Sequence, residues 1–303
     1  MTITEVSPTA QNESPTKFLW LDITRKCQLE CAHCYNSSGP EGDHGSMSQE
    51  DWFTLLDQAA DAGVSAVQLI GGEVTMHPHG KEIAAHALGL GLQVEVYSNL
   101  VHIAPEWWTL LQHEGASLAT SYYSASAREH NTMTRRPSHG RTRANIVRAL
   151  KLGIPLRVGI VSNDKERAAE AEAELRAIGV QRIGIDHIRP YGRGAAEPSP
   201  DTSGLCGNCG DGCASIGPNG QVAPCVFSTW MEIGNVQQAP LAAILSGDKM
   251  IQATAAIRGD VTMAKCQPDC QPHCVPNNPC DPRCEPNAAC RPGTPPSDCQ
   301  PRN

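Results

Sequence analysis

Three cysteines lie within eight residues near the start of the chain, in the run CQLECAHC, as Cys27, Cys31 and Cys34. Thiolates at such short intervals are typical metal ligands. Three of them can bind three corners of a [4Fe–4S] cube and leave the fourth iron open to a substrate, whereas an electron carrier usually supplies four cysteines. Two alternatives stay open here: a zinc site completed by His33 or His44, and unligated structural cysteines.

The other eleven of the fourteen cysteines follow a stretch of 171 residues that contains none. Four of them lie between residues 206 and 225, and seven fall in the last 38 residues. A secreted, disulfide-stabilised protein is small and spreads its bridges through the chain, and no charged-then-apolar signal peptide opens this sequence. The grouped cysteines are therefore interpreted as metal ligands.

The charge balance argues against binding to nucleic acid, because 24 basic and 32 acidic residues leave a formal net charge of −8. No apolar run reaches the roughly 18 residues that a membrane span requires. We therefore expect a cytoplasmic protein that binds neither nucleic acid nor membrane. Residues 1–17 are polar and are predicted to be a disordered lead-in.

Short apolar runs alternate with helical patterns between residues 18 and 195, which predicts a parallel sheet with helices outside it. Six strands are too few for a closed eight-stranded barrel, so we expect an open, partial (β/α)6 TIM-like barrel with ligands at the carboxyl ends of its strands. The predicted strands are 19–24, 66–72, 93–99, 117–123, 155–162 and 182–188. The predicted helices are 51–63, with Ser48 as N-cap and Asp51 at N3, then 80–91, 105–115, 141–153 and 164–179.

A C-x3-C-x2-C motif on the loop after the first strand of such a sheet resembles the radical S-adenosylmethionine (radical SAM) superfamily. The resemblance implies a [4Fe–4S] cluster on Cys27, Cys31 and Cys34. Its open iron chelates the amino and carboxylate groups of S-adenosylmethionine, and reduction cleaves the sulfonium to a 5′-deoxyadenosyl radical that abstracts hydrogen from a substrate. His33 occupies the position where the family often has an aromatic ring near the adenine. An electron donor such as a flavodoxin or ferredoxin is also implied.

Further family landmarks fall at the ends of the next predicted strands. Gly71-Gly72-Glu73 resembles the GGE motif, whose backbone and acid hold the methionine amino group. Ser98-Asn99 ends the third strand, where the family keeps polar groups for the ribose. Two more positions, after the fourth strand, resemble a Ser and a downstream Arg that contact the cofactor's carboxylate. They are Ser121 and Arg135. The segment 189–194, RPYGRG, resembles the chain leaving the sixth strand in peptide-modifying members.

The second cysteine group resembles the SPASM and twitch extensions of this superfamily, which carry auxiliary iron–sulfur clusters. Ten residues separate Cys209 from Gly220-x4-Cys225, within the spacing that opens these extensions, and Pro218-Asn219-Gly220 is predicted to turn a small hairpin. The resemblance implies that the hairpin cysteines share one auxiliary [4Fe–4S] cluster with Cys284. The second would lie on the remaining tail cysteines. The full set of implied ligands is Cys206, Cys209, Cys213, Cys225, Cys270, Cys274, Cys280, Cys284 and either Cys290 or Cys299.

The tail leaves alternatives open, because 17 of the 38 residues from Cys266 onward are Cys or Pro and such a segment cannot build an apolar core. It could support two clusters, belong to a twitch-like extension with a single cluster, or be a solvated arm. The resulting division of the chain is 1–17 lead-in, 18–195 barrel, 196–205 linker, 206–290 auxiliary-cluster domain and 291–303 Pro/Cys-rich tail.

The function that the resemblance implies is oxidative crosslinking of a ribosomally synthesised peptide. Because few residues precede the first strand, we expect a separate leader-binding protein, or recognition of the peptide by the barrel and tail. One alternative is a radical SAM dehydrogenase that acts on a small alcohol such as an aminocyclitol. Another is a non-catalytic iron–sulfur or zinc-binding protein, which has no need of the GGE motif.

Overall fold

A computed structural model describes residues 16–195 and 200–260. It contains nine strands in one sheet, ordered β6-β5-β4-β3-β2-β1-β7-β8-β9. The strands are β1 Phe18–Asp22, β2 Ala66–Ile70, β3 Gln93–Tyr97, β4 Ala116–Tyr122, β5 Leu156–Val161, β6 Arg182–Asp186, β7 Cys213–Ile216, β8 Gln221–Ala223 and β9 Gly234–Asn235. Strands β1 to β6 are mutually parallel and follow chain order. The open, partial (β/α)6 barrel is confirmed.

Helices connect these strands and cover the outer face of the sheet. They are α1 Gln49–Asp61, α2 Gly80–Gly89, α3 Pro105–Leu110, α4 Ala127–Thr134, α5 His139–Lys151, α6 Lys165–Ala177, α7 Leu241–Leu245 and α8 Asp248–Asp260. Helix α1 begins with the predicted capping box, in which Ser48 Oγ accepts from Asp51 N at 3.1 Å and Asp51 Oδ2 accepts from Ser48 N at 2.9 Å. Helices α4, α7 and α8 were not predicted. In the described ranges, no helix has the length and apolar content needed to cross a membrane.

The two faces of the barrel strands have different surroundings, because successive side chains alternate between faces. The outward side chains form the main core with the helices, and include Leu19, Leu21, Val67, Leu69, Val94, Val96, Leu118, Val158 and Ile160. The inward face carries a polar group. Glu95 accepts hydrogen bonds there from Gln68 and Arg157, each at 2.5 Å. The apolar residues of the strand pattern thus lie on the face that the helices cover. The face toward the barrel interior also carries polar side chains.

The C-terminal segment continues the barrel sheet. Strand β7 pairs with β1 in parallel, and β7 and β8 form the predicted antiparallel hairpin. Gly220 in its turn has φ +78°, a conformation that glycine adopts without a Cβ penalty. Residues 196–199 of the predicted linker lie outside the described part of the chain, and so do the lead-in up to residue 15 and the segment 261–303.

Candidate active site

A cavity opens at the carboxyl ends of the barrel strands and is lined by all three N-terminal cysteines. Cys27 is buried, and Cys31 and Cys34 are half-buried. The Cys27 sulfur accepts hydrogen bonds from Leu29 N at 3.4 Å and from Asn99 Nδ2 at 3.6 Å. The loop after β1 therefore presents its thiols where ligands bind in open α/β sheets.

Burial governs the protonation of these thiols. It raises the pKa of all three, that of Cys31 to about 12. A thiol in apolar surroundings resists losing its proton, whereas a bound cationic metal favours the thiolate. Burial therefore favours the protonated form of the three thiols until a bound metal stabilises their thiolates.

The donor set of the cavity fits an iron–sulfur cluster. None of the described residues that line it is Asp or Glu, so thiolates are its anionic donors, and soft thiolates select Fe–S clusters or zinc. Within the same described residues, no three His, Cys, Asp or Glu side chains converge on a point that could hold one metal ion. A cubane does not need such convergence, because each cysteine binds a different iron.

The two histidines considered for a zinc site lie in different surroundings. His44 Nδ1 is 2.9 Å from Thr24 Oγ1, and His44 is absent from the residues that line the cavity. His33 does line the cavity, and its ring packs edge-on against that of Tyr123 at 4.8 Å. Burial lowers the pKa of His33 to about 4, so its imidazole is neutral. Its buried Nδ1 has no hydrogen-bond partner among the described residues, which leaves it available to a bound molecule.

Gly71 and Gly72 bring the turn after β2 against the chain that leads to Cys27. Gly72 N donates to Thr24 O at 2.7 Å, and Glu73 N donates to Lys26 O at 2.8 Å. A Cβ on Gly71 would lie 2.4 Å from Thr24 O, and Gly71 has φ +140°. A Cβ on Gly72 would lie 2.3 Å from Lys26 O. Only glycine permits this approach, and both glycines line the cavity.

The Glu73 carboxylate is hydrogen-bonded within the protein, in the turn that follows β2. It is fully buried and accepts hydrogen bonds from Thr75 N at 3.1 Å, Thr75 Oγ1 at 2.7 Å, Ser98 Oγ at 2.8 Å and Asn99 N at 2.8 Å. Burial raises the pKa of Glu73, and these hydrogen bonds oppose that rise by favouring the ionised form. Neither Glu73 nor Ser98 lines the cavity. Their contacts join the ends of β2 and β3.

We expect Glu73→Gln to destabilise the protein. Both oxygens of the Glu73 carboxylate accept hydrogen bonds, so in either orientation the NH2 group of the glutamine amide faces a hydrogen-bond donor. Leaving these buried groups unpaired costs about 1–3 kcal/mol. The melting temperature of the cluster-loaded protein should fall by on the order of 5 °C. Glu82→Gln, at a side chain that is 41% exposed, is the matched control and should melt like wild type. An unchanged melting temperature together with weakened S-adenosylmethionine binding would instead support the direct contact that the sequence predicted.

The remaining predicted residues separate into two groups. Asn99 and Ser121 line the cavity, where Ser121 Oγ is 3.1 Å from the Tyr97 hydroxyl. Arg135 does not line it. It is the left-handed C-cap of α4, with its side chain 49% exposed and 3.8 Å from the Glu30 carboxylate. The structure thus gathers His33, Gly71, Gly72, Asn99 and Ser121 around the cysteines, and places Glu73, Ser98 and Arg135 elsewhere.

Arg193 also lines the cavity, and its contacts with the cysteine loop are not predictable from the sequence motif. Its Nε donates to Cys31 O at 2.8 Å, its guanidinium also donates to Ser38 O at 2.7 Å, and its backbone N donates to Cys34 O at 2.9 Å. A Cβ on the preceding Gly192 would lie 2.3 Å from Tyr35 O. The segment 189–194 therefore fixes the backbone of the cysteine loop, and the RPYGRG run was its only sequence signal.

Three of the four described cysteines of the C-terminal segment share one buried cluster, and the fourth, Cys206, is hydrogen-bonded to one of them. Cys209, Cys213 and Cys225 are buried and Cys206 is exposed. Cys209 shares side-chain hydrogen bonds with Cys206 and Cys225, and the bond to Cys206 raises the pKa of Cys209 and lowers that of Cys206. The predicted ligands Cys270, Cys274, Cys280, Cys284 and Cys290 lie outside the described residues.

Comparison with known proteins gives related curated proteins and related folds. The chain is 25% identical over 269 residues to the subtilosin biosynthesis protein AlbA of Bacillus subtilis, covering 76% of this chain and 60% of AlbA. It is 29% identical over 184 residues to PqqA peptide cyclase of Xanthomonas campestris, covering 59% and 49%. The chain thus spans about half to three-fifths of these relatives. Streptococcus suis SuiB bound to S-adenosylmethionine has the same fold, with a TM-score of 0.66 at 16% identity, over 81% of this chain and 68% of SuiB.

Family models match both parts of the chain. The model of the radical SAM superfamily matches residues 21–186, more than half of the sequence. The model of the SPASM iron–sulfur cluster-binding domain matches residues 206–274. These two domains imply S-adenosylmethionine and [4Fe–4S] clusters as cofactors, which agrees with the donor set of the cavity. The chain belongs to the radical SAM superfamily and carries a SPASM domain.

Proposed function

We propose that this protein cleaves S-adenosylmethionine reductively and uses the resulting radical to crosslink a ribosomally synthesised peptide. The observation that carries the proposal is the shared cavity of Cys27, Cys31, Cys34 and the Gly71-Gly72 turn at the carboxyl ends of the strands. When bound, the cluster supplies one electron to the cofactor's sulfonium and thereby the 5′-deoxyadenosyl radical.

The residues around the cavity bind and orient. The three thiolates would each hold one iron, and Arg193 keeps their loop in place through Cys31 O and Ser38 O. Gly71 and Gly72 would let the cofactor approach the backbone, and the neutral His33 ring would lie beside the adenine. Asn99 and Ser121 offer hydrogen bonds for the cofactor's polar groups.

A peptide substrate is supported by the relatives and by the open barrel. AlbA is a bacteriocin biosynthesis protein, and the Xanthomonas relative is a peptide cyclase. Another solved SuiB structure, with a TM-score of 0.67 at 15% identity, contains its precursor peptide SuiA. Among the described residues β6 is an edge strand, so the barrel sheet is open on that side and would admit an extended chain. Radical crosslinking removes two electrons in all, and an auxiliary cluster on the C-terminal cysteines would accept the second.

Coexpression with a short peptide encoded beside the gene tests the proposal. The peptide should become lighter by roughly 2 Da, the mass of two hydrogens lost in a net two-electron oxidation, and fragment spectra should place the crosslink within one chain. The peptide expressed alone is the control. An unchanged peptide mass together with oxidation of a free aminocyclitol or another small alcohol would move the function to the small-molecule dehydrogenase. An absence of both products, with clusters loaded, would favour a non-catalytic iron–sulfur protein.

A further inference from the structure

A group of arginines surrounds the turn between α4 and α5. This arginine patch consists of Arg135, Arg136, Arg141 and Arg143; the first three are exposed and the side chain of Arg143 is 40% exposed. Glu30 lies 3.8 Å from Arg135 and from Arg136, and Glu174 lies 2.6 Å from Arg143. The four arginines therefore outnumber these two carboxylates, so the patch is locally positive in a chain whose net charge is −8.

The patch lies directly against the cysteine loop. Ala32 N donates to Met133 O at 2.9 Å, and Glu30 N donates to Thr134 O at 3.3 Å. These bonds tie the residues on either side of Cys31 to the last turn of α4. Arg135 and Arg136 directly follow Thr134 at the end of that helix, so a protein docked on the patch lies beside the backbone of the cysteine loop.

Three aromatic rings contact one another in sequence between Cys31 and the start of α5. The Tyr123 side chain is hydrogen-bonded to Cys31, and its ring centroid lies 5.1 Å from that of His130. The His130 ring lies 5.2 Å from that of His139, the first residue of α5 and a neighbour of the patch. His130 and His139 are both buried. Ring contacts through Tyr123, His130 and His139 therefore link the cysteine loop to the first residue of α5, which lies beside the patch in sequence.

We propose that the arginine patch is the docking surface for a small acidic electron-carrier protein that reduces the cluster held by the cysteine loop. This inference rests on the proposed function, which requires one electron for each cleavage. The carrier loses one electron and the cluster gains it, while no covalent bond forms or breaks and no proton moves. Complementary charge speeds such encounters by about 10- to 1,000-fold and makes them sensitive to salt.

Charge reversal on the patch tests the docking. The variant carries Arg136→Glu and Arg141→Glu, and the matched control carries Lys151→Glu and Arg182→Glu. Both control residues are exposed: Lys151 is the last residue of α5, and Arg182 is the first residue of β6. All proteins are loaded with clusters, and the probe is a purified acidic flavodoxin. Calorimetry measures its binding at low and at high salt. Formation of 5′-deoxyadenosine is then measured with reduced flavodoxin and, separately, with dithionite.

The patch variant should bind flavodoxin about tenfold or more weakly at low salt, and its flavodoxin-driven rate should fall to a similar degree. The control should behave like wild type, and all three proteins should react equally with dithionite. Equal flavodoxin affinity in variant, control and wild type would overturn the docking proposal. Absence of dithionite-driven cleavage in wild type would overturn the proposed function instead, and the binding measurement would still decide whether the patch docks the carrier.

Discussion

Replacing Cys27, Cys31 and Cys34 together by Ala is expected to remove about four iron atoms per chain and to abolish cleavage of S-adenosylmethionine. The three thiols line one cavity, and none of the described residues that line it has a carboxylate that could replace them as a ligand. Without thiolates the cluster has no protein ligands, so no electron reaches the cofactor. Iron content and 5′-deoxyadenosine formation are the two measurements.

The fold should survive this triple substitution. Of the three cysteines only Cys27 is buried, and the backbone of their loop is held by Arg193 and by the bonds to α4. Far-ultraviolet circular dichroism should therefore match that of wild type. Cleavage that persists in the triple variant would contradict the assignment of the cluster to this loop. Zinc in place of iron in the anaerobically prepared wild type would revive the zinc alternative.

Cys225→Ala is expected to block formation of the crosslinked peptide while leaving abortive cleavage of S-adenosylmethionine intact. Cys225 is buried beside Cys209, on the hairpin side of the sheet, and does not line the active-site cavity. Loss of its thiolate would impair the auxiliary cluster, which the proposed function uses to accept the second electron. The N-terminal cluster keeps all three of its ligands, so the first step continues.

The matched control for Cys225→Ala is Ser228→Ala. Ser228 lies in the same turn, is buried, and donates through its Oγ to Cys225 O at 3.1 Å, so its removal disturbs local packing without removing a thiol. Peptide mass should show crosslinking in the Ser228 variant and none in the Cys225 variant. A Cys225 variant that crosslinks at the wild-type rate would show that this cysteine does not serve the proposed oxidation.

Local patterns predicted those parts of the fold that depend on neighbours in sequence. The six barrel strands were found in place, and Ser48 and Asp51 were identified as a helix start because a capping box is contained within four residues. Helix α4 was missed because its sequence, AREHNTMT, has few apolar residues to reveal a period. The second predicted strand was two residues too long, since it included Gly71 and Gly72, which form the turn at its end.

The sequence by itself determined the three-cysteine loop, its position after the first strand and the glycine pair at the end of the second strand, because these depend on residue type and short spacing. Only the tertiary structure decided that β7 pairs with β1, that Glu73 bonds to the end of β3, and that Arg193 holds the loop from 162 residues away. It also places the Arg135 side chain on the outer surface, apart from the residues that line the cavity. Such contacts join residues distant in the chain, and local propensity and spacing carry no information about which distant partners the folded sheet brings together.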